Sequence, residues 1–373
     1  MDDAPSRSKK FSPILGLPVD DEPAPALEHA RTEAPLRLSV IVPARNEERN
    51  LSACLTSLLA QSDEFFLLGR DWELIAVDDA STDGTRAVAM EAVGAQVLVA
   101  PALEKREFTG KNSACWFAAG LAKGQWLLFT DADTVHEAGN LLRAMHEAEK
   151  YGAALLSYSP RQIVRGFWQR ALMPLIFSEL AMVYPSAEVN DPGRRLAAAN
   201  GQFLMMDRGA YFAIGGHKAV GREVLEDVEL AYKVKQTKRV IRFRYAPDAL
   251  RTRMYRGFGD MVEGWMKNLA LLFPHALGLA AWRVLDILLL LLPIVLIPLH
   301  YLVLWQQAVI VLIWVRTLFR YYSRVMKSNF SALDCAISPL ALPLFVTLLV
   351  RSWMQHKVFH QVKWKGREYR VSR

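Results

Sequence analysis

The feature that most constrains the fold of this chain is a regular alternation of strand-like and helix-like segments between residues 37 and 268. The helix-like segments are 51–59, 85–92, 113–121 and 137–150, and in the first of them leucines recur at helical spacing. The apolar runs typical of buried strands are LSVIV (38–42, ended by Pro43), WELIAV (72–77), AQVLVA (95–100) and WLLFT (126–130). Such alternation predicts an α/β domain on a doubly wound, mostly parallel sheet.

Polar residues follow the first, second and fourth of these runs directly. In a doubly wound sheet, ligands bind at the carboxyl ends of the strands. Because all three polar clusters fall at that edge, the sequence predicts one shared binding site there.

The tripeptide DAD places Asp131 and Asp133 directly after the fourth predicted strand. Divalent cations such as Mg²⁺ bind through one or two carboxylates together with substrate phosphates. The same two residues are also typical of the N-cap of the helix predicted at 137–150. Taken alone, DAD supports a metal site and a helix cap about equally.

Two further acidic segments contain candidate functional residues. In DDASTDGT (78–85), two adjacent aspartates repel each other, which a turn does not require. Asp79 is therefore a candidate to accept a hydrogen bond from a base or ribose, and Asp83 is predicted to cap the next helix. In LEDVELAYK (225–233), Asp227 is either a stabilising acid of a first helical turn or a base that takes a proton from an attacking hydroxyl.

Composition divides the rest of the chain. Residues 1–36 contain six prolines and predict a disordered arm. The net charge is +7, and cations are concentrated in two segments, with four in 316–327 and seven in 351–373, where Glu368 is the one acid. Basic runs beside apolar stretches favour anionic lipid headgroups, and no nucleic-acid-binding motif accompanies them.

Residues 287–315 hold 29 positions without a formal charge, whereas one membrane span needs about 20. Together with 269–282, this length predicts a hairpin of two spans after an amphipathic helix, with kinks at Pro293 and Pro298. We therefore expect a multi-pass protein of the inner, cytoplasmic membrane.

A third apolar stretch, 332–350, is interrupted by Pro339 and Pro343. The positive-inside rule predicts that it does not cross and that the basic tail, 351–373, is cytoplasmic. The domain predicted at 37–268 is also expected in the cytoplasm, because the sequence before it lacks the apolar stretch of a signal peptide. The three distant cysteines, at 54, 115 and 335, fit a reducing compartment.

Six segments in this order and spacing resemble glycosyltransferase family 2. They are PARNEE (43–48), VDDASTDGT (77–85), TGKNSA (109–114), TDADT (130–134), IGGH (214–217) and LEDVEL (225–230). The likeness is closer to a membrane-bound bacterial branch, similar to ceramide glucosyltransferases and to carotenoid- and hopanoid-associated glycosyltransferases. The tail segment VKWKGREY (362–369) is similar to the closing motif of that branch.

The resemblance implies a GT-A fold, an inverting mechanism, a nucleoside-diphosphate sugar (a UDP-sugar as the first expectation) and Mg²⁺ or Mn²⁺. It implies metal and diphosphate contacts for Asp131 and Asp133, and the role of catalytic base for Asp227. The donor-binding positions that it implies are Pro43, Glu47 and Asp79 at the nucleotide and Lys111 in the donor pocket.

The chain departs from the family pattern after the base, where Arg253 and Arg256 are present but the tryptophan that usually follows is missing. Trp265 lies nearby in the sequence. The two arginines face either the diphosphate or, with Arg251, lipid headgroups, and the sequence supports the two alternatives almost equally.

Two other segments have roles that the sequence alone does not decide. Residues 163–184 are rich in Trp, Leu and Phe and form either an interfacial acceptor groove or core. His356 and His360 have metal-pair spacing but no acid nearby, so we expect them to face headgroups.

The main functional hypothesis is sugar transfer to a lipid or other hydrophobic acceptor at the cytoplasmic membrane face. The alternatives are a polyprenyl-phosphate glycosyltransferase and a non-catalytic membrane scaffold.

Overall fold

The structure is a computed structural model that describes residues 36–92, 94–100, 108–299, 301–364 and 367–370. The predicted arm at 1–36 lies outside the described residues except for Leu36, as do several residues of the basic tail. The strands are β1 (Leu38–Ala44), β2 (Trp72–Asp78), β3 (Ala95–Val99), β4 (Trp126–Phe129), β5 (Thr134–His136), β6 (Ala153–Ser159), β7 (Arg161–Gln162), β8 (Leu204–Asp207), β9 (Val240–Tyr245), β10 (Leu250–Thr252), β11 (Gln361–Trp364) and β12 (Arg367–Arg370).

The helices of the first part of the chain surround the sheet, and those of the last part form a separate group. The α-helices are α1 (Glu48–Leu59), α2 (Thr85–Glu91), α3 (Gly110–Leu121), α4 (Asn140–Lys150), α5 (Gly166–Val183), α6 (Ser186–Asn190), α7 (Arg208–Ala213), α8 (Glu226–Gln236), α9 (Phe258–Leu272), α10 (Ala276–Leu296), α11 (Leu304–Val325), α12 (Ala332–Ile337) and α13 (Leu342–Met354).

Seven strands form the central sheet in the order β3-β2-β1-β4-β8-β6-β9. Only β8 runs antiparallel to its neighbours, so the prediction of a mostly parallel α/β sheet is confirmed. A smaller sheet of β5, β10 and β7 lies beside it. Because β1 and β4 are adjacent and parallel, the loops that follow them open at the same edge.

Apolar side chains alternate across the central sheet and form a core on each face. Val40 and Val42 of β1 pack with α1 and α4, whereas Ile41 packs with α3 and α8 on the other face. The first strand extends past its predicted end at Pro43, because pairing with β4 stops at Ile41 and the missing N–H of proline breaks no ladder there.

The helix predicted at 137–150 begins at Asn140 instead, after the short strand β5. Its N-cap position is taken by Gly139 in the left-handed region, with φ of 66°. DAD is therefore not the cap of this helix, and one of its two interpretations is wrong.

A third apolar core joins α5 to the C-terminal helices α9, α10, α12 and α13. The predicted acceptor segment 163–184 thus contributes mainly core, since ten residues of α5 are buried. All three cysteines are buried and free.

Two helical stretches among the described residues are long and apolar enough to cross a membrane, Ala276–Leu296 and Ala332–Phe359. The first is 17% buried and the second 44%, so α10 presents most of its apolar surface outward. In α11, Leu304 and Leu312 are also highly exposed. Pro339 interrupts the second stretch with a 3-10 turn, Ser338–Ala341, as the sequence predicts, whereas Pro343 lies at the start of α13.

Part of the cationic segment 316–327 is bound by protein carboxylates, which sequence reasoning did not anticipate. Arg320 and Arg324 of α11 pair with Asp286 of α10, and Arg324 also lies 3.4 Å from Glu179 of α5. Arg283 joins the same cluster. This cluster links the α10–α11 pair to α5, so these arginines have a structural role besides any contact with headgroups.

Candidate active site

One cavity of about 780 Å³ opens at the carboxyl ends of β1, β2 and β4. Every site residue predicted from the sequence lines it. These are Pro43, Glu47, Asp79, Lys111, Asp131, Asp133, Asp227, Arg253 and Arg256. The structure thus brings together residues that are up to about 200 positions apart in the chain.

The loops after β1 and β2 hold each other in place at one end of the cavity. The Glu47 N–H donates to Thr85 Oγ1 at 2.8 Å, and the Thr82 N–H donates to Asn46 Oδ1 at 2.9 Å. Asn46 has a left-handed φ of 52°, which asparagine tolerates better than most residues. The Asp79 N–H also donates to the Ala44 carbonyl at 2.9 Å, so Asp79, which is only 6% exposed, is held between the two loops.

Asp83 lies at the start of α2, as predicted. Its Oδ1 accepts from the Thr85 N–H at 3.0 Å and from the Thr85 hydroxyl at 2.5 Å. The N-cap position itself is taken by Gly84, so Asp83 stabilises the helix start from one residue further back.

Lys111 sits in the first turn of α3 and bridges two carboxylates. Its Nζ lies 2.8 Å from Asp131 Oδ1 and 2.7 Å from Glu226 Oε1. Burial disfavours the lysine charge, but Asp131 and Glu226 outweigh burial and raise the pKa of Lys111 well above its usual range. Lys111 therefore stays cationic and links the DAD turn to the start of α8.

Asp227, in the first turn of α8, is held by two backbone donors. The Gly201 N–H donates to Oδ2 at 2.7 Å and the Val228 N–H donates to Oδ1 at 2.9 Å. Burial, and then the charge of Glu226, raise the pKa of Asp227 to about 6. A carboxylate that titrates near neutral pH is suited to proton transfer.

Gly201 is required where the site groups converge. A Cβ added there would lie 2.9 Å from Lys111 Nζ and 3.5 Å from Asp227 Oδ2. The contact with Lys111 is closer than a real Cβ approaches, and two ion pairs hold this lysine in place, whereas the distance to Asp227 is an ordinary van der Waals contact.

Asp131 and Asp133 lie in the turn between β4 and β5, with their carboxylates at the cavity. The Asp133 carbonyl accepts from Thr252 Oγ1 at 3.1 Å, which ties this turn to β10. Among the described residues no group of three or more His, Cys, Asp or Glu has a metal-binding arrangement. Two carboxylates do fit a cation such as Mg²⁺ that takes its other ligands from substrate phosphates.

The three arginines near 251–256 separate into different environments. Arg251 forms an ion pair with Glu137 and is absent from the cavity lining. Arg256 donates to the Arg49 carbonyl at 2.9 Å and to Asn50. Arg253 lines the cavity, and burial followed by the charges of Arg165 and Arg256 lowers its pKa. Trp265 is core rather than a replacement for the missing tryptophan, since it is buried and donates to Met173.

Residues 39–227 match the family model described as Glycosyl transferase family 2, about half of the chain. The chain belongs to glycosyltransferase family 2. The resemblance inferred from the six segments is confirmed, and the protein is a glycosyltransferase rather than a non-catalytic scaffold.

Two comparisons extend beyond the family domain. The 4,4'-diaponeurosporenoate glycosyltransferase of Staphylococcus aureus (strain MRSA252) is 26% identical over 345 residues, covering 90% of this chain and 89% of the relative. A mannosyltransferase from Pyrobaculum calidifontis, solved with GDP-Man and Mn²⁺, superposes with a TM-score of 0.52 at 18% identity. That superposition covers 88% of this chain and 90% of the other, and it shows that the two share a fold.

The sequence left residues 163–184 of this glycosyltransferase open between an acceptor groove and core, and it did not indicate the part of the cavity wall that α9 contributes. Phe177, Leu180 and Leu272 make an apolar wall that continues into the third core. α9 also contributes polar residues to the cavity lining: Asp260, Glu263, Lys267 and Asn268. Asn268 Oδ1 is buried and has no hydrogen-bond partner among the described residues, so it is placed to accept from a ligand.

Glu226 was also missed as a site residue, although it directly precedes Asp227 in the LED segment. His356 was predicted to face headgroups, and that prediction is wrong. It is 4% exposed, and its Nε2 lies 2.7 Å from the Lys267 carbonyl oxygen. His356 therefore supports α9 behind the cavity, a long-range contact that no sequence pattern indicates.

Proposed function

We propose that this protein transfers a sugar, with inversion, from a nucleoside-diphosphate donor to a lipid or other hydrophobic acceptor at the cytoplasmic membrane face. The observation that carries the proposal is the two-sided cavity. Its polar side holds Asp79, Lys111 and DAD, its apolar side is built by α5 and α9, and Asp227 is among its lining residues.

On the acceptor side, Asp227 acts as the base. Its Oδ atom takes the proton of the acceptor hydroxyl while the acceptor oxygen bonds to the anomeric carbon and the bond from that carbon to the diphosphate oxygen breaks. Attack from the face opposite the leaving group inverts the anomeric centre. The raised pKa of Asp227 supports this role, because it makes the carboxylate a stronger base than an ordinary aspartate.

On the donor side, the nucleoside lies against the loops of Pro43, Glu47 and Asp79, and the diphosphate lies toward Lys111. Asp131 and Asp133 hold a Mg²⁺ or Mn²⁺ ion, which supplies Lewis-acid stabilisation of the departing diphosphate when bound. Lys111 adds a fixed positive charge there. The lysine is already held beside Asp131, which supports placing the diphosphate next to DAD. A UDP-sugar is our first expectation for the donor.

On the membrane side, the exposed apolar surface of α10 anchors the enzyme, with α11 packed beside it and presenting Leu304 and Leu312 outward. The second long apolar stretch, Ala332–Phe359, stays on the cytoplasmic side. Its larger buried share supports this assignment. The apolar wall of α5 and α9 supports a hydrophobic acceptor, and the relatives named for 4,4'-diaponeurosporenoate favour the same class.

A donor panel tests the proposal. The purified full chain is incubated with UDP-glucose, UDP-N-acetylglucosamine or GDP-mannose, with Mg²⁺ or Mn²⁺ and a bacterial lipid extract. We expect release of nucleoside diphosphate from one donor, a sugar-bearing lipid by mass spectrometry, and loss of both with excess chelator. Activity that is undiminished by chelator would contradict the metal role of DAD. Sugar transfer to water-soluble acceptors alone would contradict the lipid acceptor.

A further inference from the structure

Three aromatic side chains form an exposed cluster where α5 and α9 begin. Phe167, Trp168 and Phe258 are 48%, 42% and 47% exposed. Trp168 contacts both neighbours, with ring centroids 5.2 Å from Phe167 and 5.7 Å from Phe258. The cluster joins two helices that are distant in the chain, so it is a formed surface rather than three isolated residues.

This surface differs from the rest of α5. From Ala171 to Glu179 every residue of that helix is buried in the protein, whereas its first turn presents two large rings outward. Contiguous exposed apolar surface on a folded protein marks an interaction site. Tryptophan in particular favours the boundary between lipid and water, because its ring is apolar and its N–H is polar.

Arginines accompany the three rings. Arg165 is exposed and directly precedes α5, and Arg256 is exposed and lies two residues before Phe258. The charges of Arg165 and Arg256 both act on Arg253, so the three guanidinium groups lie near one another. Asp260 is the one acid in the first turn of α9, which leaves this surface net positive.

The same surface borders the cavity. Arg256 and Asp260 line the cavity, and Phe258 lies between them in the chain. The α5 helix, which begins at the aromatic cluster, contributes Phe177 and Leu180 to the apolar wall. A partner seated on the cluster would therefore lie at the entrance used by anything that reaches the apolar side.

We propose that Arg165, Phe167, Trp168, Arg256 and Phe258, which we call the aromatic–arginine rim, dock onto the surface of a bilayer that contains anionic lipids. The rings sit at the level of the headgroups and the arginines pair with lipid phosphates. This inference rests on the proposed function, since docking at this point brings the cavity entrance to the membrane that holds the acceptor. Each arginine shifts the equilibrium between undocked and docked rim about fivefold toward docking, and this factor becomes smaller as the salt concentration rises.

The test uses the full chain with a bimane label on Phe167→Cys, reconstituted into vesicles that carry a nitroxide on a fraction of the headgroups. Vesicles of phosphatidylcholine alone are compared with vesicles that contain one third phosphatidylglycerol. Phe65→Cys is the matched control, because Phe65 is also exposed, at 72%, but lies in the loop before β2, at the opposite edge of the sheet. The native cysteines are buried, which limits background labelling.

We expect strong quenching at position 167, greater with phosphatidylglycerol, and little at position 65. Added Arg165→Gln should shift the equilibrium of the rim about fivefold toward the undocked state, which is seen as weaker quenching at position 167, while Arg86→Gln on α2 should cause no such shift. Equal quenching at the two positions, or no dependence on phosphatidylglycerol, overturns the proposal.

Donor hydrolysis is measured in the same samples, so that failure of the docking proposal can be distinguished from failure of the proposed function. Hydrolysis without quenching at position 167 contradicts docking of the rim and is consistent with the proposed function. Quenching without hydrolysis of any donor in the panel supports the rim and counts against the proposed function.

Discussion

The two sides of the cavity differ in how they are built. The donor side consists of short loops that directly follow strands of one sheet, so residues close in sequence to a strand end are close in space. The acceptor side consists of α5 and α9, whose side chains meet only because the C-terminal helices pack beneath them. Polar site residues at strand ends can therefore be predicted from sequence, whereas the sequence could not decide whether residues 163–184 form an acceptor groove or core.

The difference between the sides also concerns charge. Lys111 and its carboxylates form a connected ionic group on the donor side, in which each charge depends on the others. On the other side, α5 contributes the apolar side chains of Phe177 and Leu180, and α9 contributes Leu272 together with the polar residues Asp260, Glu263, Lys267 and Asn268. Substitutions on the donor side and at Asp227 should therefore change catalysis strongly, and those on the acceptor side should change mainly acceptor affinity.

The largest effect is expected from Asp227→Asn. Loss of a positioned base lowers turnover by about 10²–10⁴-fold, while donor affinity changes little because the base acts in the transition state. Steady-state transfer kinetics and donor titration measure the two quantities. The charge-matched control is Asp63→Asn, in the loop before β2. Asp207→Asn is less suitable, because Asp207 caps α7. Near-normal transfer by Asp227→Asn would remove this residue as the base.

A smaller loss is expected from Gly201→Ala. The added methyl group displaces the Lys111 ammonium group from its two ion pairs, which should lower turnover by about 10- to 100-fold. Gly120→Ala is the control, since a Cβ there meets no atom within 4 Å. If both alanine variants behave alike, Gly201 does not determine the position of Lys111.

The pH dependence should show the environment of Asp227. Its pKa in the free enzyme is raised to about 6, and the base works only when deprotonated, so kcat/KM for the acceptor should fall as the pH drops below about 6. At pH 5, kcat/KM should be about a tenth of its plateau, whereas an ordinary aspartate would retain activity to about pH 4. An acidic limb near pH 4 in the kcat/KM profile would contradict the raised pKa.

The smallest effect is expected on the acceptor side, from Asn268→Leu. Removal of an unpartnered buried acceptor atom should raise the acceptor KM by about two- to tenfold, the range of one hydrogen bond. The donor KM should not change, because Asn268 lies on the acceptor side. A shift in the donor KM instead would place Asn268 in the donor site.

The same contrast explains which parts of the structure were predictable. The four predicted strands lie as predicted, because each was marked by a local apolar run, and the site residues taken from the six segments all line the cavity. Those after β1, β2 and β4 follow a strand end, whereas Lys111 came from the family resemblance and Asp227 from the acidic first turn of α8. Gly201, Asn268 and the buried position of His356 depend on contacts between segments far apart in the chain. The pairing of Arg320 and Arg324 with acids of α10 and α5 was missed for the same reason.

The most direct test of the central claim is lipid mass spectrometry of cells that express the wild-type chain or Asp227→Asn at equal levels. The account predicts a lipid in the wild-type cells that is heavier by one hexose or N-acetylhexosamine and is absent with Asp227→Asn. Identical lipids in the two strains, with a sugar-bearing product found only in the water-soluble fraction, would contradict transfer to a membrane acceptor by this site.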